Sequence, residues 1–390
     1  MAGVIGIVLG AAVLLVGVGW LLLEWQYRQR RGNDLVFGAG EWNLEVYEPT
    51  HYRIVGEPEL INRTPASEIM VPELTVETTL LSGTSLEGIT VRTEVVPRHA
   101  DAETRSDGYW FAYIVKLRKT TRLEIRVDIE GPDLRALKAL WVRVPYVTYG
   151  PQGRIPKTGH VVVPLKFPQP DDNLSWRPTP SAQVLPVPTH LLTHLDDPVS
   201  VVKRYVAPHA QPGDIVTLGE TPVAIMQGRW RHPQDIRPGW VARRLCYYFL
   251  PTSSLATACG MQTLVDVVGP WRVLFAFLGG AIAKVLGKPG MFYQLAGEQA
   301  RLIDDVTGTL PPYDQFIVLG PANPEEVVQQ IRQATGLEAA IVDVNDLKAV
   351  KILAATPRVD SQLLIQALRD NPAGNADEQT PLVLIRPSSA

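Results

Sequence analysis

Cysteine is nearly missing from this 390-residue chain, where Cys246 and Cys259 stand alone. Two thiols with no histidine pair beside them make neither a disulfide framework nor a zinc site, and both read as buried, reduced side chains. A surplus of positive charge is missing too. Lys and Arg number 37 against 40 Asp and Glu, a formal charge of −3, which argues against a broad nucleic-acid surface. Internal repeats are absent. Charge itself disappears between Val4 and Leu23, twenty residues without one ionisable side chain.

That run is about the length needed to cross a ~30 Å hydrocarbon core at ~1.5 Å per residue. Trp20, Trp25 and Tyr27 sit where an interfacial aromatic belt would lie, and Arg28, Arg30 and Arg31 follow at once. The positive-inside rule then puts the N-terminus outside and the rest of the chain in the cytoplasm. A cleaved signal peptide fits less well, because a basic leader and a small-residue cleavage site are both lacking. The expectation is a transmembrane anchor over residues 1–27. Gly6 and Gly10 form a small-residue contact motif on one helix face, so a homodimer is one expectation.

From residue 38 to 167 the hydropathy pattern has period two, and the expectation is a β-rich, sandwich-like domain. Leu123 to Glu130 alternates apolar and charged residues without error, as a half-buried strand requires. Ile89 to Val95, Trp110 to Leu117, Leu140 to Val147 and His160 to Phe167 are further strand candidates, separated by Gly- and Pro-containing turns. No catalytic constellation lies here, so an unidentified protein partner is the expected ligand. Residues 168–183, with Pro168, Pro170, Pro178 and Pro180, read as a linker.

Residues 184–388 have mixed α and β texture and read as an α+β domain. Asn323 as N-cap, Pro324 at the first helical position and Gly336 as the stop bound a helix over 324–335, with Val327, Val328, Ile331 and Ala334 at helical spacing. Together with strands at 316–319 and 339–343 this predicts a βαβ unit with Asp343 at its exit, where ligands bind in α/β folds. Val273 to Ala283 is apolar but too short to span a bilayer; a buried helix is expected, with membrane-interface contact as the alternative. His190 and His194 would share a helix face, and read as surface or capping residues rather than metal ligands.

One stretch, Gln211-Pro212-Gly213-Asp214 followed by two apolar strands and Gly228-Arg229, combines with the Asp343 strand into an order that resembles the coenzyme F420-0:γ-glutamyl ligase family. The resemblance covers roughly residues 184–386 and leaves out the anchor and the β-rich domain, which those ligases are expected to lack. It implies joining L-glutamate to a carboxylate of a cofactor precursor with GTP and Mg²⁺ or Mn²⁺, through an acyl phosphate. Leu185 and Pro186 match the Leu-Pro that opens the family's nucleotide site, and Gly228 and Arg229 match its Gly-Arg. Glu220 and Thr221 stand where the family has Ser-Lys. Asp343 matches the family's metal aspartate, with Val344 in place of its threonine and Asn345 or Asp346 as substitute ligands. Asp304 and Asp305 are nearest to its second metal carboxylate; an exposed acidic turn is the other reading of that pair. The catalytic group is not identified. The expectation is a membrane-anchored ligase-like protein, or alternatively a non-catalytic, membrane-tethered binding or assembly protein that retains the fold.

Overall fold

The computed structural model describes residues 2–29, 33–65, 67–103, 105, 107, 109–168, 174–305, 310–344, 348–374 and 378–388, without side-chain detail at 2–9, 28, 29 and 305. Asn345 and Asp346, and the side chain of Asp305, therefore lie outside the described residues. An N-terminal helix runs Ala2–Gln29, and within it Gly10–Tyr27 is apolar and unburied, long enough to cross a membrane. The chain divides into two compact units, residues 1–77, 90–130 and 143–160, and residues 78–89, 131–142 and 161–390.

The first unit is built from antiparallel strands. Thr120–Glu130 is its central strand, carrying His51–Gly56 and Glu59–Asn62 along one edge and Thr90–Arg98 along the other. Leu123, Ile125, Val127 and Ile129 are fully buried, so the alternation in the sequence is the in-and-out pleat of this strand. A second sheet contains Ile69–Leu74 and Tyr113–Val115 beside residues 143–150 and 153–160. The expected 110–117 strand shortens to three residues, 113–115.

The second unit centres on a mixed six-stranded sheet in the order Arg177–Pro178, Ala182–Val187, Leu382–Pro387, Ile215–Gly219, Glu338–Val344, Val350–Ala355. Alternation again decides the faces. Val216, Leu218, Ala339 and Ile341 pack against the helices Pro198–Tyr205 and Pro324–Thr335, through Val201, Val202, Val328 and Ile331. Ile215, Ala340, Val342 and Val383 meet Leu364, Ala367 and Leu368 of the helix Ser361–Leu368 on the other face.

The 324–335 helix lies where the sequence puts it, and Gly336 ends it in the left-handed region at φ 78°. Ala334 is exposed rather than part of the buried stripe. Asn323 holds the N-cap position but is itself left-handed, at φ 44°, and its amide donates to the Glu326 carboxylate at 3.2 Å instead of accepting from the backbone. The expected βαβ unit is corrected: Ile317–Val318 pairs with Trp230–Arg231 and Asp304–Asp305 in a separate three-stranded sheet. The parallel neighbour of 338–344 is instead 215–219, in the register Ile215 to Glu338 through Gly219 to Val342. The expected apolar strand before Gly228 is also corrected. Residues Glu220–Met226 form a helix, because a run of five apolar residues fits a buried helical turn as well as a strand.

A helical subdomain fills 240–302, with helices Trp240–Leu245, Ala258–Val268, Pro270–Val285 and Met291–Ala296 around Leu245, Met261, Leu264, Val273 and Phe292. Cys246 is buried there, Cys259 half-buried, and both are free thiols. The 270–285 helix was expected to be buried, yet only Val273 and Ala276 are.

Candidate functional site

The parallel pair 215–219 and 338–344 delivers its C-terminal ends to one place. Gly219 leads without a loop into the first turn of the 220–226 helix, and Asp343 is the penultimate residue of its strand. Between them opens a cavity of about 220 Å³, lined by Gly219, Glu220, Thr221, Asp343 and Tyr313 and by the 371–374 and 379–381 segments. This is the crevice beyond the strand ends that α/β sheets use for ligands.

Three carboxylates set its electrostatics. Glu220 is only 9% exposed and one of its oxygens, Oε2, has no hydrogen-bond partner. Burial, then the charges of Asp343 and Asp304, push its pKa up to about 8, against the pull of Lys351. Burial and Asp343 likewise raise Asp304 to about 6. Lys351 is the direct cross-strand neighbour of Asp343. The oxygens of Glu220, Asp304 and Asp343 do not all lie within 4.8 Å of one another. Oxygen donors of this kind, one of them an orphaned buried carboxylate, fit a hard divalent cation such as Mg²⁺ or Mn²⁺.

The structure therefore brings Glu220, Thr221 and Asp343 to one cavity, with Asp304 close enough to shift Glu220. Asp304 is not the exposed turn of the alternative reading, since it is half-buried and pairs with Val318 in a short strand. Leu185 and Pro186 lie elsewhere, inside the sheet opposite Leu384 and Val383, and Leu185 is 1% exposed. Gly228 and Arg229 do not line the cavity. The Arg229 guanidinium donates to the Gly320 carbonyl at 2.6 Å and to Gln299 at 3.3 Å, fixing the chain that leads into the 324–335 helix.

Among the polar residues of the cavity, Tyr313 escaped the sequence reading. Tyr313 is fully buried with an unpartnered hydroxyl, and burial raises its pKa. Its only sequence signal was the Pro311-Pro312 turn before it. His190 is corrected from surface to interior: it is 3% exposed, bonded to the Tyr205 hydroxyl at 2.6 Å and to Asp196 at 2.9 Å. His194 is also enclosed, with neither ring nitrogen bonded, and burial lowers its pKa to about 4. No helix joins the two histidines, because the chain from Pro188 to Asp197 is irregular.

Residues 36–167 are an Ig-like, β-rich domain, matching the family model "F420-0:gamma-glutamyl ligase, N-terminal Ig-like domain". The match corrects the expectation that the ligase family lacks the β-rich domain, and it falls on that domain rather than on residues 184–386. No curated protein matches the chain. Among solved structures, the GAE domain of yeast GGA1 is similar over 35% of this chain and 96% of its own, at 15% identity and a TM-score of 0.20. The E. coli chaperone DraB is similar over 40% of this chain and 70% of its own, at 15% identity and a TM-score of 0.18.

Proposed function

We propose that this is a membrane-anchored, F420-0:γ-glutamyl ligase-like protein whose 161–390 unit binds a divalent cation and, with it, GTP and an acid to be joined to glutamate or another amino acid. The unpartnered Glu220 oxygen, in a cavity that Asp343 also lines at the strand ends, carries the reading. The ligase-family domain at 36–167 supports the choice of chemistry, and the apolar, unburied 10–27 helix supports the anchor. In the reaction the acid's carboxylate attacks the γ-phosphorus, GDP leaves, and the amine then displaces phosphate from the acyl carbon. A bound divalent cation would neutralise charge on the phosphate oxygens. Glu220 and Asp343 would hold that cation, with Asp304 acting on it through water rather than as a direct ligand. The Tyr313 hydroxyl is a free donor for an oxygen of the bound acid. The 371–374 and 379–381 segments would screen the acyl phosphate from water.

One observation favours a second reading. Among the described residues no lysine or arginine lines the cavity, and Glu220-Thr221 replaces the Ser-Lys of the resemblance, so phosphate would depend on the cation for its positive charge. A non-catalytic, membrane-tethered protein that keeps the fold and the cation site would have this cavity. Calorimetric titration of the full chain in detergent with Mn²⁺ and GTP separates the two. Coupled binding of both, followed by phosphate release when glutamate and an acceptor acid are added, is expected. Binding of Mn²⁺ with no response to millimolar GTP would leave only the second reading, and no Mn²⁺ binding would sink both.

A further inference from the structure

The 270–285 helix has two unlike faces. Trp271, Phe275, Leu278, Ile282 and Val285 recur at four- and three-residue intervals, which is one helical stripe, and they are 69%, 67%, 50%, 63% and 88% exposed. The opposite side buries Val273 and Ala276 in the subdomain core. Next to the stripe, Tyr248 packs on Phe277 at 5.2 Å, and Tyr247, Tyr248 and Leu250 are all exposed. An apolar surface of this extent is not left bare on a protein without a reason.

The charges around it say what covers it. From residue 237 to 297 the cations are Arg237, Arg243, Arg244, Arg272, Lys284 and Lys288, all exposed, against the single anion Asp266. The whole chain carries −3, so this segment concentrates positive charge that the rest lacks. Its one acid is engaged, with Arg231 at 2.6 Å and Gln262 at 2.7 Å. Trp and Tyr with an aliphatic stripe, in a segment whose exposed charges are almost all Lys and Arg, is the chemistry of a lipid–water interface with anionic headgroups. A straight span is ruled out by geometry. Sixteen residues reach only about 24 Å at ~1.5 Å each, and the preceding helix meets this one at a bend of 111°.

We infer that the 240–286 face is a second membrane-contact site, on which the helix Pro270–Val285 lies flat in the headgroup region of an anionic bilayer. The inference stands apart from the N-terminal helix. Each basic side chain near such a surface multiplies the affinity roughly fivefold, so those of the six that reach the headgroups make the contact charge-selective.

Photocrosslinking tests it in the full chain. p-Benzoylphenylalanine is placed at position 275, at position 18 in the N-terminal helix, and at position 365 as an exposed control in the same unit. The protein is reconstituted in vesicles of phosphatidylcholine with one quarter phosphatidylglycerol, or of phosphatidylcholine alone. Lipid adducts at 275 in the anionic vesicles, with none at 365, are expected. The doubly reversed variant Arg243→Glu/Arg244→Glu should lower the yield at 275 at least tenfold and leave the yield at 18 unchanged. Adducts at 275 without adducts at 18 would support the inference while removing the anchor. Adducts at 18 with none at 275 would overturn the inference alone. A crosslink from 275 to a second copy of the chain would overturn it too, assigning the face to a dimer.

Discussion

Glu220 is held neutral by its surroundings, and that has a measurable sign. In the cation-free protein it stays protonated up to about pH 8, against an ordinary value of 4.5. The folded state therefore binds more protons than the unfolded state across that window, and stability falls as pH rises through it. Glu220→Gln should remove most of this dependence and be more stable than the parent at pH 8.5 by on the order of 2–4 kcal/mol, read from urea unfolding at pH 5 and 8.5. Binding of Mn²⁺ at pH 7 should expel about one proton, seen by repeating the calorimetry in buffers of different ionisation enthalpy; Asp343→Asn should weaken that binding at least tenfold with little change in Tm. His194 runs the other way. Its pKa is depressed to about 4 by burial, so the folded state resists protonation, and stability is present above pH 6.5 and lost as pH falls towards 4. His194→Phe, which preserves the edge-to-face contact with Trp230 at 5.3 Å, should flatten the acid limb of the stability curve.

At the scale of elements, the turn Gln211-Pro212-Gly213-Asp214 is tied to the 382–387 strand. Asp214 is 2% exposed, accepts two bonds from Arg386 at 3.0 and 2.7 Å, and accepts a third from the Gln211 backbone. Asp214→Ala removes both bonds to Arg386, which keeps the His209 carbonyl and the Trp176 ring, and should cost about 1.5–3 kcal/mol, while Mn²⁺ affinity measured below the unfolding transition stays unchanged. Such elements show what a sequence discloses. Helix 324–335 and strand 120–130 were legible because their periods are long enough to exclude rivals. The 220–226 helix was not, since five apolar residues in a row carry no period. The parallel pairing of 215–219 with 338–344 joins residues more than a hundred positions apart, which no local pattern encodes. Asp343 was legible as a strand exit. The unpartnered state of Glu220 and the enclosure of Tyr313 depend on that distant pairing, and so appear only in three dimensions.

For the whole molecule, the charge and apolar patterns divide the labour. The 10–27 helix is unburied along its length, so the full chain should remain with the membrane pellet through alkaline carbonate extraction, and intact mass should include residues 1–27; a soluble, shortened product would mean a processed leader. The sheet of the second unit carries a further consequence. Leu382–Pro387 lies between Ala182–Val187 and Ile215–Gly219 and pairs with both. During synthesis, nearly two hundred residues must therefore leave the ribosome before the middle of this sheet has its strand. Until then two open β-edges wait side by side, the arrangement most prone to pairing with a neighbour. The cell must guard this nascent unit for the time it takes to translate it, whereas the strands of the 36–167 domain can close while the rest is still being made.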